Sequence, residues 1–111
     1  MEEIKVNEYV RLRNGDVTRV KAINEKTFKC KFHKVNCELF IDCIVKHSSN
    51  IIDLIEIGDY VNGKLIHNKF GNPKNGELMI IYGNGKHFDN KNIKTVVTKE
   101  QFANAEYRLE E

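Results

Sequence analysis

No apolar run in this sequence of 111 residues approaches the roughly 20 needed to cross a bilayer as a helix. The Met-Glu-Glu opening lacks the basic segment and apolar stretch of a signal peptide. Only three cysteines are present, an odd number that argues for reduced thiols rather than a disulfide framework. Together these set the expectation of a cytoplasmic protein with no membrane contact. Neither a G-x-G-x-x-G nor a Walker loop occurs. "YGNGKHF" (Tyr82 to Phe88) has glycines but not the strand-glycine-helix setting that a phosphate loop requires. An excess of one charge is missing too: 18 basic and 16 acidic residues leave +2, too little for the total to imply nucleic-acid binding.

What the total hides is placement. From Arg11 to Lys34 eight basic residues stand against Asp16 and Glu25 alone, while the C-terminus ends in Glu110 and Glu111. The chain is polarised rather than basic.

Apolar residues alternate or cluster in short groups, the pattern of strands. Val10 and Leu12 precede Asn14-Gly15, and Val17, Thr18 and Val20 follow it. An Asn-Gly pair with both residues at positive φ is the strongest short hairpin signal. "TFKCKF" sets Phe28, Cys30 and Phe32 on one face and Lys29, Lys31 and His33 on the other. "CELFIDCIV" reads as one further strand, in which Leu39, Ile41, Cys43 and Val45 share a parity. Later, "DYVNGKLI" reads as a short strand piece with Asn62-Gly63 at a turn or bulge. "HNKFGNPKNGE", with the single proline Pro73, reads as a loop; "LMIIYG" as a buried strand; "GNGKHFDNKN" as a second polar loop; and "IKTVV" as a strand. In "VTKEQFANAEY", Thr98 and Gln101 have the spacing of a capping box, with Val97 and Phe102 as a hydrophobic staple. That helix is expected to lay Phe102, Ala105 and Leu109 on the sheet.

The expected fold is therefore mainly β with a short C-terminal α-helix, as a small bent sheet or Src-homology-like small barrels. One domain, residues 1–111, is expected, with an N-terminal strand group at about 4–46, a connector at 47–57 and a C-terminal strand group plus helix at 58–109. "VNEYV" (Val6 to Val10) and "IGDYV" (Ile57 to Val61) echo one another. Both are similar to the start of the first strand in bent barrels of the Tudor and KOW kind, where Asn or Gly permits a tight turn.

Each candidate for chemistry has a plainer alternative. Cys30, His33, Cys37 and Cys43 are zinc-type ligands, but no second close pair accompanies Cys30 and His33, and cysteines also serve as small core residues. No metal or other cofactor is expected. "HSSN" (His47 to Asn50) sets serines beside a histidine, but triads assemble through the fold and not along the chain. Ile51, Ile52, Leu54, Ile55 and Ile57 make that stretch an apolar joint. No catalytic residue is assigned. For binding, Arg11, Arg13, Arg19, Lys29 and Lys31 are the candidates from the basic segment, where phosphate contacts and aromatic stacking could combine. Lys69, Tyr82, Lys86 and His87 are those from the polar loops, which carry specificity more often than scaffold.

"HSSNIIDLIEIGDYVNG" together with "NIKTVVTKEQFANAEYRL" resembles small hypothetical proteins of Firmicutes phages and prophages, especially clostridial ones. Those carry an H-S-x-N-I-I-D-L-I-E-x-G-D-Y-V-N-G phrase and an I-K-x-I-V-T-K-E-Q-F tail. The likeness covers Lys46 to Gly63 and Asn92 to Leu109. It implies a mobile-element origin, a cytoplasmic setting in an infected cell, and an accessory role such as anti-CRISPR or other counter-defence. It brings no catalytic residue. The partner it implies is a host protein or ribonucleoprotein. Independently of it, the basic segment makes a nucleic-acid-binding small barrel one alternative function, an Arg and aromatic pocket makes a sponge for a signalling nucleotide another, and open strand edges make pairing of two copies an expectation.

Overall fold

The structure, a computed structural model, describes residues 3–32 and 34–105. The chain divides into two compact units, Met1–Ile55 and Glu56–Glu111. In the first, β1 (Tyr9–Leu12), β2 (Val17–Arg19), β3 (Ala22–Ile23), β4 (Thr27–Phe32) and β5 (Val35–Phe40) lead through a 3-10 turn at Ile41–Cys43 to β6 (Ile44–Ser48). A second 3-10 turn, Ile51–Leu54, closes the unit. The second unit has β7 (Tyr60–Val61), β8 (Lys64–Gly71), β9 (Leu78–Tyr82) and β10 (Lys86–Asp89), a 3-10 turn at Asn90–Asn92, β11 (Val96–Val97) and the helix α1 (Lys99–Ala105).

The two units are built to one plan. In the first, the sheets run β2-β1-β6 and β3-β4-β5; in the second, a single sheet runs β10-β9-β8-β7-β11. In each, the opening strand is flanked by the next strand and by the closing one, and a 3-10 turn precedes the closing strand. Among the described residues no sheet closes into a barrel. The architecture is mainly β, in small bent sheets, with one short C-terminal helix.

The echo of "VNEYV" and "IGDYV" is structural. Asn7 and Gly58 both have positive φ, 74° and 102°. The Asn7 N–H donates to Val20 O at 2.8 Å, as the Gly58 N–H does to Ile66 O at 2.9 Å. Returning bonds run from Val20 N–H to Glu8 O and from Ile66 N–H to Asp59 O, both 2.9 Å. Each acid then accepts the N–H three residues before it: Lys5 to Glu8 Oε1 at 2.8 Å and Glu56 to Asp59 Oδ2 at 2.7 Å. Val10 and Val61, next after the tyrosines, are wholly buried.

The core of the first unit is Val10, Leu12, Val20, Phe28, Cys30 and Ile44. In the second unit Val61, Ile66, Ile80 and Ile81 are buried. Ile52 and Leu54 are buried as well, on a 3-10 turn that lies against β1 and β6 of the first unit. Within the stretch 47–57, His47 and Ser48 complete β6, and the division falls after Ile55.

Local geometry corrects several readings. "CELFIDCIV" is two strands in different sheets, because the Ile41–Cys43 turn interrupts it. The turn also changes the phase, so Ile44 enters the core while Val45 is 46% exposed. At the first Asn-Gly pair only Gly15 has positive φ. Gly15 N–H donates to Leu12 O at 2.9 Å and Leu12 N–H to Asp16 O at 2.8 Å, a three-residue loop with a glycine bulge. The two-residue primed turn occurs instead at Asn62-Gly63, with φ of 51° and 79°. The two loops read in the second half are shorter than expected: β8 continues through His67 to Gly71, and Lys86 to Asp89 form β10.

The capping box forms as read. Thr98 N–H donates to Gln101 Oε1 at 3.0 Å and Gln101 N–H to Thr98 Oγ1 at 3.2 Å. Asp59 Oδ1 reinforces it by accepting the Lys99 N–H at 2.9 Å. Phe102 stacks on Tyr60, with ring centroids 5.0 Å apart, yet remains 52% exposed. Leu109 and the side chain of Ala105 lie outside the described residues.

Candidate binding surfaces

Of the candidates in the basic segment, Arg11 is not a surface cation. It is 1% exposed, and its Nη1–H donates to Leu54 O at 2.9 Å. The side chain leaves β1 on the face that the Ile51–Leu54 turn covers, so its charge serves the fold. Arg13 is exposed and donates from Nη2 to Asp42 O at 3.0 Å. Arg19 is exposed, lies over the Tyr9 ring at 5.4 Å and donates from Nε to Asn7 O at 3.0 Å. Lys29 and Lys31 stand exposed on the outer face of β4, opposite Glu38 and Asn36 of β5. On that face Glu38 Oε2 accepts from Thr27 Oγ1 and Asn24 Nδ2, both at 3.1 Å.

In the second unit the sheet pleat sorts the candidates. Ile66, Tyr82 and Lys86 lie side by side across β8, β9 and β10, so their side chains leave from one face. Lys69 shares that face through its pairing with Ile80. His87 pairs with Ile81 and points the other way; its Nε2 is 3.9 Å from Asp89 Oδ1. Tyr82 is half-buried and stacked on Phe88, with centroids 4.3 Å apart and planes 18° apart.

Around Tyr82 the second unit opens into a cleft of about 540 Å³ lined by Gly63, Lys64, Leu65, His67, Tyr82, Gly83, Asn84 and Lys86. Its lining holds two lysines and a histidine and no carboxylate. Lys64 and His67 were not legible as site residues. Lys64 joins because the Asn62-Gly63 turn sets it opposite the buried Val61, on the core side of β8. His67 stands where the β8–β9 register shifts between Ile66 and Asn68, a bulge that no alternation pattern announces. Its Nε2 is 2.9 Å from Gly83 O, which can only accept, so that nitrogen carries the proton.

The first unit has a cleft of about 390 Å³ between its opening hairpin turn (Leu12, Arg13, Asn14, Asp16) and Phe32, Cys37, Leu39 and Cys43. Its floor is apolar. A third hollow of about 410 Å³ lies by Lys21, Lys29 and Glu38.

Among the described residues the three cysteines of the zinc-type set belong to no metal-holding group. Cys30 and Cys37 are cross-strand partners, but among the described residues no group of three or more His, Cys, Asp or Glu side chains is placed to hold a metal ion. His33 lies outside the described residues. Burial pushes the Cys30 thiol above its ordinary range, which fits a core residue. Nor do the residues of "HSSN" assemble into a nucleophile and base. Ser48 Oγ donates to Asp53 Oδ2 at 2.5 Å, while His47 Nδ1 sits 3.0 Å from Glu8 Oε1. His47 and Ser48 are consecutive on a strand and face opposite ways. Among the described residues no helix is long and apolar enough to cross a membrane.

The fold and its clefts define a protein of two small β units, each with an open cleft beside its opening hairpin. No protein-family model matches the chain, no curated protein matches it, and no solved structure matches it.

Proposed function

We propose that this chain is a non-enzymatic binding protein that acts by occupying an acidic partner. Following the phage resemblance, that partner is a host macromolecule, with a CRISPR effector or another defence ribonucleoprotein as the class to test first. The carrying observation is the distribution of exposed cations. Lys29 and Lys31 share the outer face of β4, Arg13 and Arg19 flank the opening hairpin, and Lys64 and Lys86 line the cleft of the second unit. Surfaces of this kind speed encounter with an acidic partner even when the whole chain is almost neutral.

The test pairs capture with phenotype. Tagged protein is used to retain partners from clostridial lysate, and plaque formation is compared on defended and undefended hosts with and without the gene. The expected result is a retained defence component and a plaque advantage confined to the defended host. Equal plaque counts on both hosts, with no retained component, would remove the reading.

A second reading, direct nucleic-acid binding, is favoured by the stacking of Arg19 on Tyr9 and by the exposed lysines of β4. Gel shifts with single- and double-stranded DNA and RNA across a salt series test it, and absence of any shift at low salt would end it.

A further inference from the structure

The two units share the plan of their opening hairpin, but the residues set along it differ in chemistry. Matched through their hydrogen bonds, Val20 corresponds to Ile66 and Phe32 to Tyr82, the aromatic that ends the third long strand segment in each unit. Two positions earlier on the opening hairpin, Thr18 of the first unit is 8% exposed where the second has the exposed Lys64. Across the turn from the aromatic, the first unit has Val35 and the second Lys86. The cleft of the second unit is thus lined by two lysines and no carboxylate, whereas that of the first has Arg13 beside Asp16.

From this we infer that the cleft of the second unit is a nucleotide site, with Lys64 and Lys86 on the phosphate and Tyr82 against the base. The inference rests on the binding reading above and gives it a location. Lys64 and Lys86 lie two strands and two residues apart, so their Cα atoms are about 12 Å from one another, and both ammonium groups reach a single phosphate between them. Tyr82 is braced by Phe88 at 4.3 Å, which holds its ring in place before any ligand arrives. His67 is a positioning residue: its bond to Gly83 O at 2.9 Å ties the β8 bulge to the 83–85 turn that forms the rim. Leu65, 49% exposed, supplies an apolar edge, and the lining has no carboxylate to repel an anion. A volume of about 540 Å³ is ample for one nucleotide. The same chemistry is offered by a free nucleotide and by one unit of a single strand.

The full chain, labelled with nitrogen-15, is titrated with uridine monophosphate, with oligouridine and with inorganic phosphate, and anisotropy of labelled oligouridine is followed across a salt series. Amide shifts are expected at Gly63, Gly83, Asn84 and Lys86, and not at Asn14 or Gly15 of the first unit. A response to the monophosphate alone assigns a free nucleotide; a much tighter response to oligouridine assigns a strand. Two lysine-phosphate contacts on a single strand give a salt slope of about −1.4 in log-log form, and K64Q/K86Q brings it towards zero. Y82L weakens nucleotide binding by roughly tenfold, the scale of one lost stacking ring, and leaves inorganic phosphate unchanged. The inference is overturned if neither nucleotide probe shifts these amides, if inorganic phosphate matches them in affinity, or if K64Q/K86Q binds as wild type does. Should the nucleotide tests fail in one of these ways while the wild-type chain still retains the defence component, the nucleotide site alone has failed and the binding reading stands.

Discussion

Substitutions at Asn62 separate two effects that its Asn-Gly context combines. Its Nδ2 donates to Asn92 O at 2.8 Å, and its Oδ1 accepts the N–H groups of Lys94 and Thr95 at 2.9 and 3.0 Å. Its backbone sits at φ 51°. At a net contribution of about 0.5–1.5 kcal/mol each, and with the residue only half-buried, loss of the three side-chain bonds costs about 2 kcal/mol. Asn62→Gly removes the bonds and keeps the conformation easy, so about 2 kcal/mol is its expected destabilisation. Asn62→Ala adds the cost of a β-carbon in the left-handed region, about 1 kcal/mol more. Asn62→Asp keeps the acceptor that holds Lys94 and Thr95 and loses only the donor, for about 1 kcal/mol. Urea unfolding followed by circular dichroism measures the totals, and hydrogen exchange at Lys94 and Thr95 reports the bonds directly. Asn14→Ala is the control, because Asn14 is exposed and is not among the positive-φ residues; it should cost no more than about 1 kcal/mol. The reasoning is refuted if Asn62→Gly unfolds with wild-type stability, or if Asn62→Ala costs no more than Asn14→Ala.

Three other outcomes are expected. Thr98→Ala should lower stability by about 1 kcal/mol and reduce the helicity of Lys99–Ala105, the usual effect of losing an N-cap; unchanged helical carbon-13 shifts there would contradict it. Phe28→Ala, emptying a wholly buried site, should cost about 3–5 kcal/mol, whereas Phe40→Ser at a position 65% exposed should stay within about 0.5 kcal/mol; equal costs in urea titration would sink the assignment of faces. Glu8 carries a pH dependence. Burial raises its pKa, but the Lys5 N–H and His47 outweigh that and hold it below the ordinary carboxyl value. A depressed carboxyl contributes stability that is present above its unfolded pKa of about 4.3 and lost as pH falls through the folded value. Thermal scans from neutral pH into that acid range should therefore show a shallower decline for Glu8→Gln than for wild type, and parallel declines would refute the assignment.

The capping box was legible because its residues act on one another within four positions of sequence. Strand positions were legible wherever alternation ran unbroken, as in "TFKCKF". The losses have local physical causes. One 3-10 turn at Ile41–Cys43 shifts the phase of everything after it, so that Ile44 replaces Val45 in the core. Four Asn-Gly pairs look alike in sequence, yet only at Asn62-Gly63 do both residues take positive φ. Arg11 reads as a surface cation until a 3-10 turn more than forty residues later covers its face. The cleft of the second unit combines both difficulties: Tyr82 and Lys86 were among the candidates, while Lys64 needed the hairpin register and His67 needed the bulge.

The repeated opening of the two units turns one sequence into a two-row alignment of itself. Rows that agree mark what the fold demands: a residue tolerant of positive φ at Asn7 and Gly58, an acid at Glu8 and Asp59, then Tyr-Val. Rows that part, Thr18 against Lys64 and Val35 against Lys86, mark positions the scaffold leaves open to specialisation. A saturation scan of the chain, folded onto itself at these pairs, would separate constraint due to architecture from constraint due to ligand without any second protein.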